Sequence, residues 1–196
     1  MIEVLSKYLP KNSVELISEI LILHPIDIKI VNNRATKHGD FKKNRNGNTQ
    51  ITINNSLNQY QFLLTLVHEI AHFVTFKENT RVKPHGIEWK KNFQHLMLPF
   101  LQPSIFPVRL LPLLANYLKN PKASTGSDIH LTYALKQFDK NSDKNFIFEI
   151  AHGSHFLFNN KSFKKGTIRR TRYECIELHS NKTYLFNRNA EVTLLK

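Results

Sequence analysis

The feature that most constrains this chain is a run from about Asn58 to Lys77 with apolar residues at Phe62, Leu63, Leu66, Val67, Ile70, Phe73 and Val74. Spacings of three and four place these on one broad stripe, so the run reads as a helix whose stripe is buried. Asn58, with Gln61 three residues on, suits the start of such a helix. Inside it lies His68-Glu69-Ile70-Ala71-His72. Four residues turn a helix by about 400°, which sets the two histidines one turn apart on one face. Glu69 beside that face would be an awkward charge against a core unless something there matches it.

Two imidazoles so placed can reach a single Zn²⁺, and Glu69 can accept a proton from the water that the ion polarises. That chemistry needs a third protein ligand and an open fourth position. A glycine at 75 and a histidine at 78 would supply one familiar pattern, but Thr75 and Glu78 stand there. Glu88 and His85 compete for the role. The helix should end near Lys77, and the seven or so residues after it span about 20 Å when extended, ample for His85 to return to the metal. Pro84 and Gly86 flank His85 in a way that suits a ligand at a helix start. His95, further along the same helix, reads as a surface or packing residue.

HEIAH followed after twelve residues by His85-Gly-Ile-Glu-Trp89 resembles the SprT-like zinc metallopeptidases, relatives of Spartan. Thr36-Lys-His-Gly-Asp40 and Ile51-Thr-Ile-Asn54 resemble the strand pair that precedes the zinc helix in that family. The resemblance covers roughly residues 1–120. It implies His68, His72 and His85 as zinc ligands, Glu69 as catalyst, and a zinc metalloendopeptidase acting on proteins associated with or crosslinked to DNA. Bacterial members often end in a zinc ribbon held by cysteine pairs. Here Tyr173-Glu-Cys175 resembles the start of one knuckle, yet Cys175 is the chain's one cysteine.

The rest of the chain predicts an α+β fold: a zincin-like core of helices on a small β-sheet, then a small antiparallel β unit. Asn12 to Glu15 reads as a capping box for a helix to Leu23. Alternation predicts strands over 26–31 and 49–54, with a further one over 36–43 broken by Gly39. Helices are expected near 87–98 and 108–118 and, short, near 128–135. The polar, small-residue stretch around 121–128 is the expected linker between domains 1–120 and 129–196. Beyond it, strands are expected over 146–150, 155–158, 167–178, 183–186 and 192–195. Turn signals stand at Gly153, Asn159-Asn160, Gly166 and Ser180-Asn181. Phe146, Phe148, Phe156, Phe158, Tyr173 and Leu185 would pack this unit without metal, because a structural zinc site needs four ligands. The competing reading is a substituted site from His152, His155, Cys175 and His179.

The chain has 28 basic and 15 acidic residues, a net charge of +13. Such an excess favours polyanions. The densest basic run holds Lys161, Lys164, Lys165, Arg169, Arg170 and Arg172. On one strand Arg170 and Arg172 would share a face, giving a surface for phosphates rather than for base edges. Its competitor is a charged, solvated edge strand. With 41% hydrophobic residues and 14 Phe the chain can build a core. The greasiest stretch, 96–118, is broken by four prolines and Arg109, which excludes a membrane span there. One cysteine and no leader-like start point to the cytoplasm. A non-enzymatic, zinc-containing DNA- or transcription-associated protein is the alternative function, and a hydrolase of non-peptide amides a third.

Overall fold

The computed structural model describes residues 1–34, 36–44, 46–79, 81–139 and 144–195. They form two compact units, Met1–Asp139 and Lys140–Lys196.

The first unit opens with a short helix α1 (Ile2–Leu5), a 3₁₀ turn at Lys11–Ser13 and helix α2 (Val14–Leu23). The expected capping box does not form. Asn12 donates instead to the Ser104 carbonyl at 2.8 Å, and the Ser13 hydroxyl to Pro10. Strands β1 (Asp27–Val31), β2 (Gly39–Lys43) and β3 (Thr49–Asn54) make a sheet of order β1-β3-β2. β3 is central, parallel to β1 and antiparallel to β2, and its Ile51 and Ile53 are fully buried. Gly39 does not break the second strand but begins it.

Helix α3 (Gln59–Glu78) packs on β2 and β3 and against α4 (Ile87–Met97). Its start is tied at both ends of the Asn58 side chain. Asn58 Oδ1 accepts from the backbone N–H groups of Tyr60 and Gln61. Asn58 Nδ2 donates to the Leu135 carbonyl at 2.9 Å and to Asp139 at 2.6 Å. A 3₁₀ turn at Val108–Leu110 leads into α5 (Leu111–Lys119), and α6 (Ile129–Lys136) is capped by Asp128. Leu131 and Leu135 of α6 are buried in the same core as Leu63, Val67 and Phe106. The first unit therefore runs to Asp139, whereas the sequence placed everything from 129 onward in the second. The apolar face of α6 is what carries it across that border.

The second unit is an antiparallel sheet of order β4-β9-β5-β6-β7-β8. Its strands are β4 (Asn145–Phe146), β5 (His155–Phe158), β6 (Lys161–Arg169), β7 (Arg172–Glu177), β8 (Thr183–Asn187) and β9 (Glu191–Leu194). Ile147, Phe156, Phe163, Cys175, Phe186 and Val192 form its core. Four expectations are corrected. The strand expected over 146–150 is only the end of β4, followed by turns. Leu185 is 49% exposed and Phe186 faces inward, since neighbours on a strand point to opposite sides. The strand expected over 167–178 is a hairpin that turns at Arg170-Thr171, with Arg170 left-handed at φ 56°. Gly166 lies not in a turn but inside β6, where the pairing with β7 shifts register and a Cβ would collide with the Glu174 carbonyl. No helix among the described residues is long and apolar enough to cross a membrane.

Candidate metal centre

His68 and His72 lie one turn apart on α3, as the helical period requires. His85 arrives from the loop before α4 in a left-handed conformation, φ 59°. That backbone costs a non-glycine residue about 1–2 kcal/mol. Gly86 is extended, at φ −70° and ψ −170°, and donates to the Lys83 carbonyl at 2.9 Å. The ring nitrogens converge: His68 Nε2 is 3.2 Å from His72 Nε2 and from His85 Nε2, and the last two are 2.9 Å apart. Among the described residues these three histidines are the one group able to hold a metal ion. Glu88 and His95 are exposed and stay outside it.

Aromatic packing fixes the rings. Trp89, 1% exposed, stacks on His72 with centroids 5.2 Å apart and on Phe93 at 5.1 Å, and its indole N–H points at the His68 carbonyl at 3.4 Å. Asn92 of α4 donates to Thr75 and to Glu78 of α3, fastening the two helices. Burial, with His72 and His85 nearby, takes the His68 pKa down to about 3. Burial and then His85 take His72 down to about 4, and burial also lowers His85. All three are therefore neutral at pH 7, with lone pairs available.

The donor set fits zinc. Two nitrogens at 2.0–2.1 Å from one tetrahedral ion stand about 3.3–3.4 Å apart, close to the spacing found. Three nitrogens cannot satisfy one another by hydrogen bonds at that spacing, whereas one cation satisfies all of them.

Glu69 is 7% exposed and opens on the same cleft, of about 480 Å³, as the three histidines. Burial first and Asp40 second push its pKa up to about 7, against a hydrogen bond from the Phe41 backbone N–H and the charges of Arg34 and Lys37. A carboxyl so poised can exchange a proton at neutral pH. Asp40 itself is paired with Lys37 at 2.8 Å. β2 also supplies one wall of this site, through Gly39, Asp40 and Phe41, none of them among the expected site residues. A glycine inside a strand pattern was the available signal, since it marks close approach of backbone.

The other expected sites fare differently. Cys175 is fully buried while His152, His155 and His179 are exposed, and these four do not come together. Lys164, Arg169, Arg170 and Arg172 are exposed. Arg169 and Arg172 face each other across the hairpin, Arg169 also meeting Glu174 at 3.2 Å. Arg170 sits in the turn, not on a strand face with Arg172. Lys165 is 5% exposed, donates to the Ile150 carbonyl at 2.7 Å and lies 4.2 Å from the Tyr173 ring centre. It turns inward because it shares a strand face with Phe163, so it does not belong to a phosphate-facing surface.

The first unit is thus an α+β fold whose helix carries HExxH, with a third histidine brought to it from the loop before α4: a histidine cluster able to hold a metal ion, beside a buried glutamate. The chain belongs to the SprT-like family, whose model matches residues 7–105, half of the sequence. Comparison with curated proteins and with solved structures gave no match.

Proposed function

We propose that the chain is a zinc-dependent endopeptidase. The observation that carries this reading is the convergence of three imidazole nitrogens on one point beside the Glu69 carboxyl. His68, His72 and His85 would hold the ion, as neutral imidazoles do. When bound, zinc supplies Lewis acidity towards a water and the scissile carbonyl. Glu69 takes the proton of the attacking water and delivers it to the leaving amine. The stacked Trp89 and Phe93 keep the His68 and His72 rings in one orientation. Replacing Glu69 with Gln keeps size and zinc while removing the base, so cleavage of a protein substrate should vanish with zinc still bound. Full cleavage by that variant would overturn the mechanism.

The substrate in this reading is a protein associated with nucleic acid, and the setting is cytoplasmic. Supporting it are the net charge of +13 and the arginine-rich hairpin end. Like charges opposite each other weaken a strand pair, and a bound phosphate backbone would offset that. Arg169, Arg170, Arg172 and Lys164 are the phosphate contacts proposed. Binding to a DNA duplex should weaken with salt, and each arginine replaced by Gln should lower the log–log slope by about 1. Unchanged affinity and slope in the triple arginine variant would remove the hairpin from this role.

A further inference from the structure

The wall that β2 builds against α3 is closer than side chains allow. A Cβ placed on Gly39 would stand 2.7 Å from Thr65 Cγ2, 2.8 Å from Glu69 Oε1 and 2.9 Å from Glu69 Cγ. Two of those three contacts are with the glutamate beside the metal centre. Ordinary contact begins near 3.5 Å, so an added methyl demands a movement of about 0.7 Å from something.

The strand cannot simply retreat. Asn54, fully buried at the end of β3, donates through Nδ2 to the Lys37 carbonyl at 2.8 Å and to the Arg34 carbonyl at 3.2 Å. Its backbone N–H donates to the His38 carbonyl at 2.9 Å. Arg34 returns to Asn54 Oδ1 at 2.8 Å and to the Thr52 hydroxyl at 2.9 Å. The segment leading into Gly39 is thus held to β3 on both sides of the chain, and Gly39 itself pairs with Ile53. Opposite it, the Glu69 backbone lies in the stretch of α3 that is buried without a break from Phe62 to Ala71, so the mobile partner is the Glu69 carboxyl.

We propose that Gly39 is a positioning residue: its missing side chain lets β2 press on α3 and fixes the Glu69 carboxyl in its place beside the three histidines. This rests on Glu69 being the proton carrier of the peptidase reading, but the geometry it asserts is separable from it.

The test uses the zinc-loaded full chain with Gly39→Ala, Thr65→Ser and the double variant. Gly39→Ala should keep zinc affinity, measured against a chelating dye, within about threefold, well inside the 10–100-fold that disturbed ligand support costs. Its kcat should fall about tenfold to hundredfold at little-changed KM, as a displacement approaching 1 Å implies. Thr65→Ser alone should stay within about twofold of wild type. In the double variant the contact with the Thr65 methyl is gone, so Tm should recover, while kcat stays low because both Glu69 contacts remain. Recovery of kcat in step with Tm would overturn the proposal, leaving Gly39 a packing residue only. A second readout needs no cleavage: the ¹³C carboxyl resonance of Glu69, assigned with Glu69→Gln. It should move in Gly39→Ala and in the double variant but not in Thr65→Ser, and a resonance that stays put overturns the proposal. If wild type cleaves nothing yet the resonance moves, the peptidase reading fails and the positioning role of Gly39 stands.

Discussion

With no metal bound, the protonation of the three-histidine site bears directly on the folding equilibrium. His68 and His72, with folded pKa values of about 3 and about 4, titrate near 6.5 once unfolded. Between those values the unfolded chain binds more protons, so each histidine contributes stability that is present above 6.5 and lost as pH falls. Glu69 acts the other way. Its folded pKa of about 7 lies above the unfolded 4.5, so in that window the folded chain binds more protons and gains stability as pH falls. From pH 6.5 to 4.5 His68 and His72 set two protons against the one of Glu69, and His85, also lowered, adds to the histidine side in both wild type and Glu69→Gln. Stability should therefore fall with pH more steeply in chelator-treated Glu69→Gln than in chelator-treated wild type, by about 1.4 kcal/mol per pH unit. Below 4.5 the glutamate's effect ends and the wild-type slope steepens to match the variant's. Urea unfolding followed by fluorescence of Trp89, the chain's single tryptophan, reads the first unit alone. Equal slopes for the two proteins between pH 4.5 and 6.5 would refute the argument, because that window is where Glu69 and the histidines oppose each other.

His85→Ala should lower zinc affinity by more than about 100-fold in dye competition, beyond what loss of a supporting group costs, while the fold persists by circular dichroism. Trp89→Ala empties a fully packed position against His72 and Phe93 and should cost about 3–5 kcal/mol in urea unfolding. Lys165→Met, replacing a buried lysine by a side chain of similar length, should leave the salt slope of DNA binding unchanged, in contrast to Arg169→Gln or Arg172→Gln.

What could be read in advance follows from how local each signal is. The period of α3, its Asn58 cap and the HExxH spacing are properties of adjacent residues, and helix and histidine pair emerged together. β3 was legible to the residue because Ile51 and Ile53 alternate with polar neighbours. His85 was reachable by chain length, but its left-handed backbone was not, since Gly86 beside it was the more obvious candidate for special geometry. The hairpin at Arg170-Thr171 escaped notice because neither residue is a usual turn former, and the run around them is uniformly strand-like. Lys165 looked like its basic neighbours until the sheet assigned it an inward face. The approach of β2 to α3 brings together residues 39 and 69, a long-range contact whose local sign was limited to a glycine inside a strand pattern.

The bond between Asn58 and Asp139 spans 81 positions of sequence and joins the start of the HExxH helix to a segment far outside the family match. During synthesis at about 5–20 residues per second, the ribosome needs about 4–16 s to make that span. For most of that interval the histidines of α3 are already in the chain while its N-terminal anchor is half made. Completion of that helix is thus timed by residues made long after its own histidines, and a chain cut at residue 120 would hold all three histidines yet remain permanently at that earlier stage.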